Sequence, residues 1–79
     1  PSLLASFQIV RRSLEVQAAW LAAQHREAEH VRLLHSWLNQ RTAMSHQPEP
    51  FALSEFEIHR VVAEASGNPF LRASSAVLE

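Results

Sequence analysis

The chain has 79 residues, of which 47% are hydrophobic and 19% charged, with a net charge of -1. This composition supplies a folded core and excludes a disordered tail, and no apolar run approaches the roughly 20 residues of a membrane span. The absence of cysteine excludes disulfides and thiolate zinc sites and agrees with a cytoplasmic location. Arginines are dispersed among glutamates, so this segment is not expected to contact DNA itself.

Apolar side chains recur every three or four residues in the first half of the chain, which predicts two amphipathic helices. The first covers about residues 4–24, and the second about residues 27–42. The first has a stripe of Phe7, Val10, Leu14, Ala18 and Leu21, and the second has Val31, Leu34 and Leu38 with Trp37 beside them. No capping residue marks the boundary near His25 and Arg26, so one bent helix remains an alternative.

The second half of the chain predicts a loop and two further helices. Ser45, Pro48 and Pro50 favour a loop over about residues 44–50, with Pro50 in the first turn of a third helix that ends near Ser66. The Gly67-Asn68-Pro69 segment suits a left-handed terminator, a cap and the first residue of a fourth helix that continues toward residue 78. The sequence therefore predicts an all-α bundle of three helices and the start of a fourth, in one partial domain over residues 1–79. A core this small is marginal alone, so a partner or a further segment is expected.

The third helix carries a carboxylate and an imidazole one turn apart. Glu55 and His59 share the stripe that also contains Ala52, Phe56, Val62 and Ala63. Because burial of an unpaired carboxylate is costly, the pair requires a compensating partner. A divalent cation is one candidate, and a simple Glu-His hydrogen bond is the alternative.

The other chemistry-bearing residues give weaker signals. His25, His30 and His35 are five residues apart and do not share a helix face, so we expect them to be solvated. Glu27 and His30 have the Glu-x-x-His spacing of di-iron bundles, which require a second copy of the motif. One glycine and no aspartate exclude a glycine-rich phosphate loop and a Ser-His-Asp triad, which disfavours an enzyme.

Arg11 and Arg12 lie in the middle of the first helix. Arg11 is at the edge of the apolar stripe, where a guanidinium can bind the carboxylate of a ligand. An ion pair with Glu15, one turn further along, is the alternative and the commoner outcome.

Three stretches resemble the FCD domain, the effector-binding and dimerising domain of FadR-like regulators in the GntR family. They are the Arg-Arg-x-Leu-Glu motif with the alanine-rich segment after it, the acidic-x-x-x-His-Arg motif with the Ala-Glu-Ala-Ser-Gly-Asn-Pro run, and the continuation beyond that run. The matching positions are Arg11, Arg12, Leu14, Glu15, Ala18, Ala19, Ala22 and Ala23, then Glu55, His59, Arg60 and residues 63–69, then residues 76–78.

The resemblance implies antiparallel helices around a cavity, often with a divalent metal that binds a small carboxylate effector. It assigns Glu55 and His59 as two metal ligands, for zinc, nickel or manganese. It places two further histidines on helices beyond residue 79 and a DNA-binding winged helix-turn-helix before residue 1, so the site in this segment is expected to be incomplete. Glu55 stands where the family usually has aspartate, and Ile9 where many members have an acidic residue.

The sequence thus leads to a ligand-sensing and homodimerising part of a transcription regulator, with Glu55 and His59 on the metal and Arg11 on the effector. A metal-free helical interaction module is the runner-up, and a small hydrolytic or di-iron enzyme comes third.

Overall fold

The computed structural model describes the backbone of residues 2–78 and the side chains of residues 2–75. The described residues form four α-helices and no strand: α1 (Leu3–His25), α2 (Ala28–Ala43), α3 (Pro48–Ala65) and α4 (Pro69–Leu78). The predicted all-α bundle is confirmed. Residues 76–78, which contribute to the family resemblance, lie outside the described side chains.

The break between α1 and α2 is formed by two extended residues, Arg26 and Glu27. The backbone N–H of Glu27 donates to His30 Nδ1 at 3.0 Å, so the histidine caps the helix from within its first turn. Two separate helices are therefore present, and the single bent helix is excluded. The Glu27–His30 spacing serves this cap, and His30 is half-buried rather than solvated.

The loop before α3 is shorter than predicted, because the helix begins at Pro48 rather than near Pro50. Both prolines fit in the first turn, where N–H groups have no partner within the helix. The first bond across the turn runs from the Phe51 N–H to the Gln47 carbonyl at 2.9 Å. Pro50 does lie in the first turn, as predicted.

The junction between α3 and α4 follows the prediction at each residue. Gly67 has φ of 69°, in the left-handed region that terminates helices. The Oδ1 atom of Asn68 accepts from the N–H groups of Phe70 at 2.9 Å and Leu71 at 3.2 Å, and Pro69 is the first residue of α4. Local chemistry therefore determines this turn.

The helix α3 is the centre of the fold. It contacts α1, α2 and α4, whereas α1 and α2 do not contact each other. Small residues at these contacts allow close approach of the helices, and the buried set is Ala18, Ala22, Ser54, Val61, Ala63, Ala65, Ser66 and Leu71. The two buried serines donate to carbonyls of their own helix, those of Pro50 and Ala63.

Several predicted core positions are exposed. In α1, Phe7 and Val10 are 42% and 54% exposed. Leu38 in α2 is also largely exposed, and Ala52 in α3 faces solvent. The periodicity correctly identified helices but not how far along each helix the tertiary contacts extend. Within the described residues no helix is long and apolar enough to cross a membrane.

Candidate functional site

A small cleft opens where α1, α3 and α4 meet. Its volume is about 40 Å³, which is room for an ion or for one carboxylate group rather than for a whole effector. Apolar side chains and a few polar ones line the cleft. In chain order, the lining residues are Arg11, Leu14, Glu15, Ala18, His59, Val62, Ala63, Leu71, Ser74 and Ser75. Convergence of polar groups in an apolar cleft is typical of a ligand site.

His59 projects from α3 between two carboxylates. Its Nδ1 atom lies 4.0 Å from Glu15 Oε1 on α1, and its Nε2 atom lies 3.8 Å from Glu55 Oε2 on α3. Both separations are ion-pair distances and exceed the length of a hydrogen bond. The direct Glu55–His59 hydrogen bond that the sequence offered as the alternative to a metal is therefore absent from this arrangement.

Glu55 has the compensating partner that its position requires, and that partner is an arginine. Arg41, in the last turn of α2, donates through Nε to Glu55 Oε1. The Arg41 guanidinium also lies over the ring of Phe51, 5.0 Å from its centroid. Sequence reasoning missed Arg41, because the pair joins residues 14 positions apart on two helices.

Glu55 and His59 are less buried than the sequence predicted. About a third of each side chain is exposed, 36% for Glu55 and 34% for His59. Both lie at the open edge of the interhelical contacts rather than in the core. Both side chains are therefore accessible to solvent and to a ligand.

Arg11 lines the cleft and forms the predicted ion pair. Its Nε atom lies 3.3 Å from Glu15 Oε1, which confirms the alternative stated for Arg11. Glu15 thus lies within 4.0 Å of both Arg11 and His59. The sequence identified Glu15 as the partner of Arg11 through their spacing of four residues, but not as a neighbour of His59, which lies on another helix.

The donor set can be compared with the needs of a divalent cation. Imidazole Nε2 and carboxylate Oε2 atoms 3.8 Å apart can both approach one cation at the usual bond lengths of about 2.0–2.2 Å. Glu15 faces the opposite ring nitrogen, so it does not share that cation. Within residues 2–75 no group of three acidic or histidine side chains is placed to hold a metal. The spacing of the two residues is compatible with a shared cation, and they would form only part of its coordination shell.

Comparison with known families decides where this arrangement belongs. The family model described as the FCD domain matches residues 8–79, which is nearly the whole chain. The chain belongs to the FCD domain family. No curated protein and no solved structure matches it.

FCD domains are parts of transcription regulators rather than enzymes. The match covers every side chain of the cleft, from Arg11 on α1 to Ser75 on α4. The family predicted from the sequence motifs is therefore confirmed, and membership in it is consistent with the predicted role in a regulator.

Proposed function

We propose that this FCD domain is the ligand-sensing and dimerising part of a GntR-type, FadR-like transcription regulator. The observation that carries the proposal is the cleft between α1, α3 and α4, where Arg11, Glu15 and His59 converge in a chain that matches the FCD family, with Glu55 3.8 Å from the outer ring nitrogen of His59. DNA binding belongs to a separate winged helix-turn-helix domain, and the regulator acts in the cytoplasm.

The proposed effector is a small carboxylate held through a divalent metal such as zinc, nickel or manganese. His59 and Glu55 are the proposed metal ligands in this segment, and further ligands come from other helices of the intact domain. A bound cation supplies positive charge for the effector carboxylate in a site where the protein's own glutamates would repel it. Arg11 can assist, because it lines the cleft and a guanidinium can bind a carboxylate.

Binding is coupled to regulation through the helices that the cleft joins. The cleft residues lie on α1, α3 and α4, and α3 contacts all three other helices. A ligand that interacts better with one arrangement of these helices shifts the population toward that arrangement, and hence changes operator affinity.

A thermal-shift titration of the full-length protein with zinc or nickel tests this proposal. A metal bound at the site stabilises the folded protein by about 2.7 kcal/mol when the free metal concentration is 100 times Kd. This stabilisation raises the melting temperature. We expect the rise in the native protein and in His35→Ala, which alters an exposed histidine on α2, and its loss in His59→Ala.

An absent rise in the native protein, or an undiminished rise in His59→Ala, would contradict the metal-sensing proposal. The chain would then be better described as a metal-free helical interaction module. The Arg41–Glu55 contact favours that alternative, because it already compensates the carboxylate without a cation.

A further inference from the structure

The two ring nitrogens of His59 face different carboxylates, and the geometry points to a distinct task for each. Glu55 Oε2 lies 3.8 Å from Nε2, and Glu15 Oε1 lies 4.0 Å from Nδ1. A neutral imidazole has one N–H, so only one of the two carboxylates can accept its proton.

We infer that Glu15 is a positioning residue that holds His59 in the tautomer with the proton on Nδ1, which leaves the Nε2 lone pair for a ligand on the Glu55 side of the ring. The tautomer concerns His59 itself, and its use by a metal rests on the proposed function. In free histidine the proton prefers Nε2, so the inference departs from the default.

Glu15 Oε1 is buried, and among the described residues no donor makes a hydrogen bond to it. A buried acceptor gains from any N–H that reaches it, and Nδ1 of His59 is a neighbouring donor atom. The gap exceeds a hydrogen bond by about 1 Å, which a small rotation of the glutamate side chain or one bridging water closes.

The surroundings of Glu55 differ from those of Glu15. Arg41 already donates a hydrogen bond to Glu55, and 36% of that side chain is exposed. A carboxylate that is paired with a guanidinium and hydrated competes weakly for another proton. The imidazole proton therefore favours the Glu15 side of the ring.

Glu15 is held in turn by an arginine on its own helix. The Arg11 Nε atom lies 3.3 Å from the same glutamate oxygen, one helical turn away on α1. Arg11 restrains the carboxylate, and Glu15 then orients a ring that belongs to α3. A carboxylate behind a ligating histidine commonly sets the ring orientation and raises its basicity as a ligand.

Nitrogen-15 NMR of the histidine ring in the metal-free, full-length protein tests the inference. The spectra are recorded at about pH 8, above the ordinary imidazole pKa. The His59 ring signals are assigned as those that are missing from the spectrum of His59→Gln. We expect the proton on Nδ1 in the native protein and a shift toward Nε2 in Glu15→Gln. The control Glu64→Gln, which removes a carboxylate paired with Arg72 at 3.7 Å, leaves the tautomer unchanged.

Zinc affinity, measured with a chromophoric chelator as competitor, gives the second readout. In Glu15→Gln we expect a loss of about 10-fold to 100-fold, which is the usual effect of removing such a carboxylate. In Glu64→Gln we expect none.

The outcomes separate the two proposals. A native protein with the proton on Nε2, or an unchanged tautomer in Glu15→Gln, overturns the inference even where zinc binds. The native measurement does not depend on Glu15→Gln, so a Glu15→Gln protein that fails to fold does not rescue the inference. A protein that keeps the Nδ1 proton and loses it in Glu15→Gln, but does not bind zinc, supports the tautomer and refutes the metal-sensing function.

Discussion

At the scale of single residues, the partner of each charged side chain decides its chemistry. Glu55 was predicted to need compensation, and Arg41 supplies it from another helix. His59 was predicted to pair with Glu55, yet it stands between Glu55 and Glu15. The site is therefore a row of polar side chains that joins α2, α3 and α1, and not an isolated pair on one helix.

The exposed pair of Glu29 and Arg32 shows what a local ion pair does in this chain. Arg32 donates two hydrogen bonds to the Glu29 carboxylate, at 2.5 and 2.8 Å, and these hold the pKa of Glu29 below its ordinary value. A lowered pKa means that the pair stabilises the fold above the unfolded-state pKa, and that this contribution is lost as the pH falls through the folded-state pKa.

We expect an NMR titration of the Glu29 side chain to give a pKa below 4.5, and Arg32→Gln to return it toward that value. Arg12→Gln, which removes an exposed arginine from α1, should leave the Glu29 pKa where it was. An ordinary pKa in the native protein would show that the pair does not persist in solution.

At the scale of helices, the boundaries follow local backbone chemistry. Gly67 occupies a left-handed position and Asn68 caps α4, and both roles were evident in the sequence. The start of α2 was not evident, because histidine rarely serves as the acceptor that His30 provides. The sequence showed the Glu27–His30 spacing but did not show that His30 caps α2.

Gly67→Ala is expected to destabilise the protein by about 1–2 kcal/mol, the usual cost of a left-handed conformation for a residue with a Cβ. An added Cβ would lie 3.8 Å from the His25 Cβ, which is ordinary contact, so the cost is conformational rather than steric. Denaturant unfolding measures it. Gly67→Asn should cost less, because asparagine tolerates this region, and equal losses in both variants would contradict this explanation.

At the scale of the whole molecule, the described residues form a thin body. The Cα positions extend 37 × 32 × 16 Å, and α1 carries an exposed apolar stripe on the side away from its buried alanines. The stripe consists of Ile9, Val16 and Trp20, each more than 60% exposed. Exposed apolar patches of this kind mark interaction surfaces, and we propose that a second copy of the protein covers this one in a homodimer.

Light scattering on the full-length protein tests the homodimer. We expect a dimer, and Val16→Glu should raise its dissociation constant at least 10-fold, equivalent to about 1.4 kcal/mol, because it places a charge in an apolar contact. Gln17→Glu adds the same charge at the next residue and serves as the control. A monomer at high concentration would rule out the homodimer, and equal effects of both variants would rule out the stripe as its interface.

The sequence by itself determined the helix content, most helix ends and the family. These depend on interactions within a few residues, such as the three-and-four periodicity, the Gly67-Asn68-Pro69 junction and the register of Glu55 with His59. Such interactions are local, so they can be inferred without knowing which helices meet.

The tertiary structure decided which residues surround His59. Glu15 and Arg41 come from α1 and α2, which contact α3 but not each other, and no periodicity relates their positions. It also decided that α3 lies at the centre and that the first turns of α1 remain exposed. The reason is physical: packing selects among several faces of similar apolarity, and that choice depends on the whole set of helices at once.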